Sequence, residues 1–547
     1  MPAPMTTILF LFFVLIVAGS VLLFTNWHIL SQNLIQILIL LVISLFCVLP
    51  SNAKYFMGLE YEDAYIFTAN SRYLLFNQDF SSDPLQTHTC VLGSISDCSA
   101  EATYGGHFLA LPSLGYLTHR LFGYHPYAIC WINLVASLIS VPILYFVCCR
   151  LTSDRTCAFV ASLVYAISPA MGMFHASALA ETTSSLLVLV YVSCFLTIFV
   201  QKDGSDSPRK WAVWSLLAVS FVLALLSKRE NLVLLTASVF AVPAFFDERT
   251  KKSMLLWTCI TTVMAVLLVR RFNILQMETA EAGDIGTVTF SLRYSLALIP
   301  VFARAFLTLR WFTIAPGLFL CGIGGLFRRS ARRSGWPIVF GLVLAYFVIY
   351  SGHYRSYYFV HYGSVTPFES LRYITNFFPL FAAVAGFGAG EVIEWMRRFG
   401  GRWPSHQELV LGTIGLVWVV ISLGMTWSLR NEWQQVEWQN RIAPVISTLQ
   451  SVKENEDYVI SDLSVVFQVF GASTIRIVDA DSIGTEIPTN MLFQNLKTRT
   501  VWWLRRTQVS PADIKRYPGF YEFVRQYDGT KCTTLPGPFS LCRIFVT

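Results

Sequence analysis

Three carboxylates fall within four positions of one short polar segment, Glu60, Glu62 and Asp63, shortly after an apolar run. Carboxylates this close raise one another's pKa, which is one way to obtain a proton acceptor that works near neutral pH. The same side chains could instead cap a helix at a membrane surface, since acidic residues favour helix N-termini. The segment is a candidate for general-base chemistry, and the residues alone leave the capping alternative open.

The composition indicates that these carboxylates belong to a membrane protein. Of the 547 residues, 54% are hydrophobic and 13% are charged, and the mean hydropathy is +0.55. A water-soluble chain of this size would carry more charge and fewer apolar residues. The net charge is +7, but the Lys and Arg residues fall mostly in short pieces between apolar runs. Binding to nucleic acid is therefore not expected.

Twelve apolar runs come close to the roughly 20 residues that a helix needs to cross a bilayer. From residue 150 onward, connections rich in Lys and Arg occupy every second position between runs, and the positive-inside rule assigns them to the cytoplasm. The alternate segments then face outside, including a large loop over residues 51–125. An even helix count places the N-terminus outside as well. The runs are 6–24, 33–50, 126–149, 156–174, 181–200, 211–227, 231–246, 253–269, 311–327, 337–352, 373–395 and 408–427.

The last part of the chain changes character, because long apolar runs stop at about residue 428. Residues 457–462 and 474–479 flank a short apolar stretch, a pattern that predicts strand, helix, strand. We expect a mainly α, polytopic transmembrane module over residues 1–427 and a small extracytoplasmic α/β domain over residues 428–547. Two close cysteine pairs in segments assigned to the outside are candidate disulfides. They are Cys90 with Cys98 in the large outer loop and Cys532 with Cys542 in the tail.

Four strings of residues resemble GT-C glycosyltransferases, the superfamily that includes protein O-mannosyltransferases, aminoarabinose transferases of lipid A and mycobacterial arabinosyltransferases. An acidic pair followed by an aromatic stretch, and then an amphipathic segment ending in Phe-Gly, is similar to the first outer loop of that family. A basic-acidic kink and an Arg-Tyr helix start are similar to later parts of it. The strings are Glu62-Asp-Ala-Tyr-Ile-Phe-Thr-Ala-Asn-Ser-Arg72, Gly106-His107 through Phe122-Gly123, Ser227-Lys-Arg-Glu-Asn231 and Leu371-Arg-Tyr-Ile-Thr-Asn-Phe-Phe-Pro379.

The resemblance implies an inverting glycosyltransferase that moves a sugar from a polyprenyl-phosphate carrier to the hydroxyl of a glycan, lipid or protein. Glu62 or Asp63 would be the base; the family pattern starts with Asp where this chain has Glu62, which leaves the choice open. The string around them leans toward a pentose donor such as arabinofuranose. The implied location is a bacterial inner membrane, with the active site and the tail facing the periplasm. The alternative is a transporter or flippase of lipid-linked glycan intermediates, although no internal symmetry of the kind that transporters show is evident.

Four cations on the outer side of this map suit the phosphate of the donor. The positive-inside rule predicts few cations there, and the growing negative charge of a phosphate leaving group must be met by fixed positive charge. A structural ion pair or an aromatic belt at the membrane interface is the competing explanation. The candidates are Lys228, Arg229, Arg355 and Arg372.

Further polar residues on the outer side are candidates for substrate binding. Each has an ordinary alternative; an acid such as Glu181 at a helix N-terminus, for example, needs no special purpose. A divalent metal is possible, but no ligand set compels one, so no residue is assigned to a metal. The candidates are Glu60, His107, Glu181 and His353.

Overall fold

The computed structural model describes about two thirds of the chain. This part includes helices and a C-terminal sheet, whereas most of the large outer loop and many connections between helices lie outside it. The described residues are 3–25, 31–48, 67–68, 71–72, 75, 109–152, 154–175, 177–199, 208–241, 248–272, 291–326, 335–352, 372–399, 404–452, 458–461, 463–470, 476–479, 501–506, 532–535 and 539–544.

The described part of the first half of the chain consists mainly of helices. Each of the apolar runs predicted there overlaps at least one helix. The helices are α1 (Ala3–Thr25), α2 (Leu34–Val48), α3 (Ala110–Phe122), α4 (Ala128–Thr152), α5 (Arg155–Ile167), α6 (Pro169–Phe174), α7 (Ala180–Phe199), α8 (Pro208–Ser227), a 3₁₀ helix (Arg229–Thr236), α9 (Ala237–Ala241) and α10 (Glu248–Phe272).

The second half continues as helices and ends in a sheet. Five of the described helices are long and apolar enough to cross a membrane: Ala128–Thr152, Ala180–Phe199, Lys252–Arg270, Phe378–Arg398 and Gly412–Glu432. The count of twelve membrane crossings stays a prediction. The elements are α11 (Leu292–Leu307), α12 (Leu309–Phe312), α13 (Ala315–Leu326), α14 (Trp336–Gly352), a 3₁₀ helix (Arg372–Asn376), α15 (Phe378–Phe399), α16 (Pro404–Glu437), a π-helical turn (Trp438–Ile442), α17 (Ala443–Ser451) and α18 (Ser464–Phe470), with strands β1 (Tyr458–Ser461), β2 (Arg476–Asp479), β3 (Val501–Arg506), β4 (Cys532–Thr534) and β5 (Phe539–Ile544).

Several predicted runs differ from the single helices that we expected, and three of them (231–246, 311–327 and 373–395) are divided between two helical elements. Two further differences concern the runs 156–174 and 408–427. The run 156–174 breaks at Ser168, whose backbone is extended (φ −61°, ψ 121°), and α6 begins at Pro169. A proline disfavours the helical conformation in the residue before it and suits the first position of a new helix. Helix α16 begins at Pro404 and ends at Glu437, so it continues past residue 428, where we expected the tail to begin. The division of the chain at that residue stays a prediction.

The tail contains the predicted strand, helix, strand unit. Strands β1 and β2 are parallel, with Val459 opposite Ile477, and α18 connects them. The sheet has five strands in the order β2-β1-β3-β5-β4, and β5 is antiparallel to both of its neighbours. A disulfide joins Cys532 to Cys542 across β4 and β5, as the spacing predicted. The Cys90–Cys98 pair lies outside the described residues.

Helix α15 packs against two neighbours through glycines. A Cβ atom added to Gly386 would lie 2.5 Å from the Cβ of Ala161 in α5, and one added to Gly388 would meet the backbone of Leu318 in α13. Lipid tails are as apolar as Leu, so helices in a membrane associate through close van der Waals packing, for which small residues are needed. These glycines therefore allow the backbones of α5, α13 and α15 to approach.

We expect Gly388→Leu to disrupt this packing, because the new side chain would overlap the backbone of α13. Overpacking costs about 1–3 kcal/mol when the neighbours can shift and more when they are backbone atoms. Gly424→Leu in α16 is the matched control, since a Cβ there meets no atom within 4 Å in the described structure. Thermal unfolding of the purified proteins in detergent would measure both. Equal melting temperatures for the two variants would contradict the packing role of Gly388.

Candidate functional site

A break between α8 and the following 3₁₀ helix brings a charged segment into the protein interior. Lys228 leaves the helical conformation (φ −158°, ψ 129°), although its N–H still donates to the Ala224 carbonyl at 2.9 Å. The chain resumes as a 3₁₀ helix when the Asn231 N–H donates to the Lys228 carbonyl at 3.2 Å. This is the kink that resembled the basic-acidic motif of the GT-C family. The break presents three consecutive polar side chains, Arg229, Glu230 and Asn231, next to Lys228.

Lys228 and Glu181 form a buried ion pair. The Nζ atom of Lys228 lies 2.9 Å from Oε1 of Glu181, and the two residues are only 2% and 3% exposed. The Lys228 ammonium also lies 5.0 Å from the ring centroid of Tyr373 and 5.5 Å from that of Tyr350, within the range of a cation–π interaction. Burial alone would lower the pKa of Lys228, but the carboxylates of Glu181 and Glu230 outweigh it and raise that pKa. Lys228 is therefore a fixed positive charge.

Asn231 connects the kink to three other parts of the bundle. Its amide nitrogen donates to the Ser184 hydroxyl at 2.7 Å in α7, and its amide oxygen accepts from the Tyr346 hydroxyl at 2.7 Å in α14. The same oxygen accepts from the Asn376 amide at 2.9 Å, in the 3₁₀ helix that Arg372 begins. Asn376 also donates to the Tyr350 hydroxyl at 3.0 Å. One buried side chain thus fixes the spacing between the Lys228 kink and the turn of Arg372.

A second asparagine holds the connection that leads into Glu181. Asn133 in α4 donates to the backbone carbonyls of Ser177 and Leu179 at 2.5 and 2.7 Å, and Thr183 donates to its side-chain oxygen at 2.6 Å. Buried backbone carbonyls need such partners, because leaving them unsatisfied costs free energy. Asn133 therefore sets the position of the first turn of α7, where Glu181 lies.

His175 begins the same connection and is fully buried. Neither ring nitrogen has a hydrogen-bond partner within the described residues, and the ring lies 4.7 Å from that of Tyr165. Burial, together with the positive charge of Arg430, lowers the pKa of His175 to about 3. His175 is therefore neutral at physiological pH and has no part in the charge balance around Lys228.

The structure brings together part of the predicted site. Glu181 and Lys228 are in contact, and Arg229, which follows Lys228 in the chain, is half-buried. The 3₁₀ helix that Arg372 begins is joined to the kink through Asn376. Within the described residues no three His, Cys, Asp or Glu side chains form a group that could hold a metal ion. The predicted residues outside the described part are Glu60, Glu62, Asp63, His107, His353 and Arg355.

Sequence reasoning gave no role to the residues that hold this cluster together. Asn231 and Asn376 are amides at the ends of apolar runs, and buried polar residues in membrane segments are costly unless they are paired. That cost was a usable signal. Tyr346 and Tyr350 were not singled out by the sequence, and only their contacts with Asn231, Asn376 and Lys228 distinguish them.

Comparisons with known proteins agree with the resemblance seen in the sequence. Residues 111–270, which include Glu181, Lys228 and Arg229, match the family model described as dolichyl-phosphate-mannose-protein mannosyltransferase. Comparison with curated protein sequences gives no match. Among solved structures, ArnT from Cupriavidus metallidurans in the apo state is 12% identical with a TM-score of 0.58, covering 94% of this chain and 98% of that one.

Two further structures are similar. One is the same ArnT bound to undecaprenyl phosphate, with the same identity, TM-score and coverage. The other is the oligosaccharyltransferase AglB from Archaeoglobus fulgidus in complex with an inhibitory peptide and a dolichol-phosphate. It is 14% identical with a TM-score of 0.50, covering 88% of this chain and 70% of that one.

The fold is that of GT-C enzymes, mainly α and membrane-embedded, with a small C-terminal sheet. The chain therefore has the fold of these membrane glycosyltransferases, and its residues 111–270, from α3 to α10, match the mannosyltransferase family model. The predicted class of fold is thereby confirmed.

We expect the Lys228–Glu181 pair to be strongly coupled. Glu181→Gln or Lys228→Met alone leaves one charge buried without its counterion, which costs about 3–5 kcal/mol. The double variant should cost less than the sum, because neither charge remains. The control is Glu394→Gln, which removes the exposed Arg398–Glu394 ion pair of α15 and should cost at most about 1 kcal/mol. Unfolding midpoints in detergent would measure all four; additive single effects would contradict the coupling.

Proposed function

We propose that this enzyme transfers a sugar from a polyprenyl-phosphate carrier to the hydroxyl of an extracytoplasmic acceptor, with inversion at the anomeric carbon. The observation that carries the proposal is the buried cluster around Lys228, which holds two cationic segments of the chain at a fixed spacing. A preorganised positive charge is what a phosphate leaving group needs. The similar ArnT structure bound to undecaprenyl phosphate and the AglB structure with a dolichol-phosphate support this type of donor.

In the proposed reaction, Glu62 or Asp63 takes the proton of the acceptor hydroxyl. The hydroxyl oxygen forms a bond to the anomeric carbon from the face opposite the phosphate, and the bond from that carbon to the phosphate oxygen breaks. The electron pair leaves with the polyprenyl phosphate. General-base catalysis of this kind contributes roughly 10²- to 10⁴-fold in rate.

We assign the phosphate to cations around the kink. Arg229 is half-buried and is the proposed direct contact with the phosphate. Lys228 is fully buried and paired with Glu181, so its proposed contribution is its positive charge, without direct contact with the phosphate. Arg372 begins the 3₁₀ helix that Asn231 ties to the kink, and this supports its assignment. Arg355 is the fourth proposed cation. An Arg presents two parallel N–H donors to a phosphate, which favours Arg229 and Arg372 as direct ligands.

The remaining predicted residues are proposed to contact substrate or to support the residues that do. Glu60, His107 and His353 belong to the substrate-binding group. Glu181 holds Lys228 at 2.9 Å, so its proposed role is to fix that cation. A divalent metal stays possible, and none of the roles assigned above depends on one.

The string around Glu62 and Asp63 supports a pentose donor such as arabinofuranose, and the acceptor is a glycan, lipid or protein hydroxyl. The positive-inside pattern supports an active site and tail that face the periplasm of a bacterial inner membrane. Both the membrane and the lipid carrier are thus partners of the enzyme.

We expect Glu62→Gln or Asp63→Asn to lower sugar transfer by at least 10²-fold, because the base would be lost. The measurement uses the purified enzyme in liposomes with a panel of radiolabelled polyprenyl-phosphate sugars, pentoses included, and membrane extract as acceptor. Glu394→Gln, on the exposed face of α15, should retain full activity. Full activity in both single variants and in the double variant would show that neither carboxylate is the base. Movement of labelled lipid across the bilayer without any transfer would instead support a flippase.

We expect Arg229→Gln to weaken binding of undecaprenyl phosphate and to lower kcat as well, because the phosphate gains charge in the transition state. A loss of about 10²- to 10³-fold in kcat/KM is the magnitude for removing one such donor. Arg229→Lys should recover part of it, since the charge remains but the paired N–H donors do not. Unchanged affinity in Arg229→Gln would exclude the direct contact.

A further inference from the structure

A line of contacts runs from the C-terminal sheet unit to the start of the large outer loop. We call it the outer strut, and define it by Ser71, His119, Tyr124 and Val469. These residues come from four separate pieces of chain: the described part of the loop, helix α3, the connection after α3, and helix α18. Nothing in the reaction proposed above uses them.

The first contact of the outer strut joins α3 to the loop. The Ser71 hydroxyl donates to the Thr68 carbonyl at 2.8 Å, and its oxygen lies 3.0 Å from Nε2 of His119. Ser71 and His119 are both buried. Burial lowers the pKa of His119 to about 4; the Gly123 backbone opposes this shift, and the charges of His125 and Arg72 add smaller contributions in the same direction as burial. The imidazole is therefore neutral and can share a hydrogen bond with the hydroxyl.

The second contact joins α3 to the C-terminal unit. The Tyr124 hydroxyl donates to the Val469 carbonyl in α18 at 2.5 Å. The centroids of the Tyr124 and His119 rings are 4.9 Å apart. The guanidinium carbon of Arg72 lies 5.0 Å from the centroid of the Tyr124 ring. Burial raises the pKa of Tyr124 to about 12, so its hydroxyl keeps its proton and stays a donor. Tyr124 thus contacts α18 at Val469, α3 at His119 and the described part of the loop at Arg72.

Helix α3 packs on the loop with no space between them. A Cβ atom added to Gly115 would lie 2.7 Å from Cβ of Ser71 and 3.1 Å from its hydroxyl oxygen. Cβ atoms essentially never approach each other that closely, and Cβ of Ser71 is attached directly to the backbone. Any side chain at Gly115 would therefore push the backbone of the loop away from α3.

We infer that the outer strut positions the catalytic loop: the C-terminal unit holds α3 through Tyr124, and α3 holds Ser71, which lies eight positions after Asp63. This inference depends on the function proposed for those two carboxylates. Asp63 precedes Thr68 by five positions, so an anchor at Thr68 keeps it within about 18 Å even in an extended chain. Ser71, His119 and Tyr124 are positioning residues, since they act on the reaction through the loop.

The kinetic consequence of this role differs from that of a simple loss of stability. A displacement of the base by about 1 Å can cost 10²-fold in rate, while the phosphate site around Lys228 stays intact. We therefore expect Tyr124→Phe and Gly115→Ala to lower kcat by about 10- to 100-fold. The dissociation constant for undecaprenyl phosphate should change by less than twofold. Gly415→Ala is the matched control, because a Cβ there meets no atom within 4 Å in the described structure.

The experiment uses the full-length enzyme in detergent, with undecaprenyl phosphate as the binding probe. The amount of undecaprenyl phosphate bound per mole of protein at saturation gives the fraction of folded enzyme. A fall in kcat per folded enzyme at constant affinity supports the inference. Unchanged kcat in both variants, or a parallel loss of affinity and kcat, overturns it. Glu62→Gln and Asp63→Asn are assayed alongside: if they and their double variant are fully active, the proposed base is wrong, whatever the strut variants do.

Discussion

The bundle interior depends on one buried ion pair, the contact between Lys228 and Glu181. Two charges taken out of water lose hydration free energy, and their mutual attraction offsets that loss only when the geometry is good and the remaining polar atoms are satisfied. Here the surrounding amides and phenols meet this condition in part: Asn231 bonds Tyr346, and Asn376 bonds both Asn231 and Tyr350, whereas Oδ1 of Asn376 has no hydrogen-bond partner among the described residues. The polar network and the ion pair stabilise each other, and together they fix the kink between α8 and the next turn.

The positions of helices and strands were predictable where the pattern is local. Apolar length located most of the described helices, and the short β1-α18-β2 unit followed from its own residues. Helix α11 was not predicted, because Arg293, Pro300 and Arg304 interrupt its apolar residues and it lies between the runs 253–269 and 311–327.

The candidate site was predictable only in part, because its contacts are distant in sequence. The sequence singled out Glu181 and Lys228 separately, each for its own position, and no pattern joined them. The Asn231 oxygen accepts from Tyr346 and Asn376, which are 115 and 145 residues away. Such pairs depend on how helices pack, and that packing includes close glycine contacts such as the one between Gly388 in α15 and the backbone of α13. Single-sequence patterns carry no information about these distances.

The strand order of the C-terminal sheet has a consequence for biosynthesis. Strand β5 lies between β3 and β4, so β3 has no partner on that side until residues 539–544 have left the ribosome. The antiparallel half of the sheet must therefore form late, after every helix of the bundle has been synthesised. During this interval β3 is an unpaired edge, which is a template for pairing with other chains. Protection of the nascent chain by chaperones should therefore matter most during this interval.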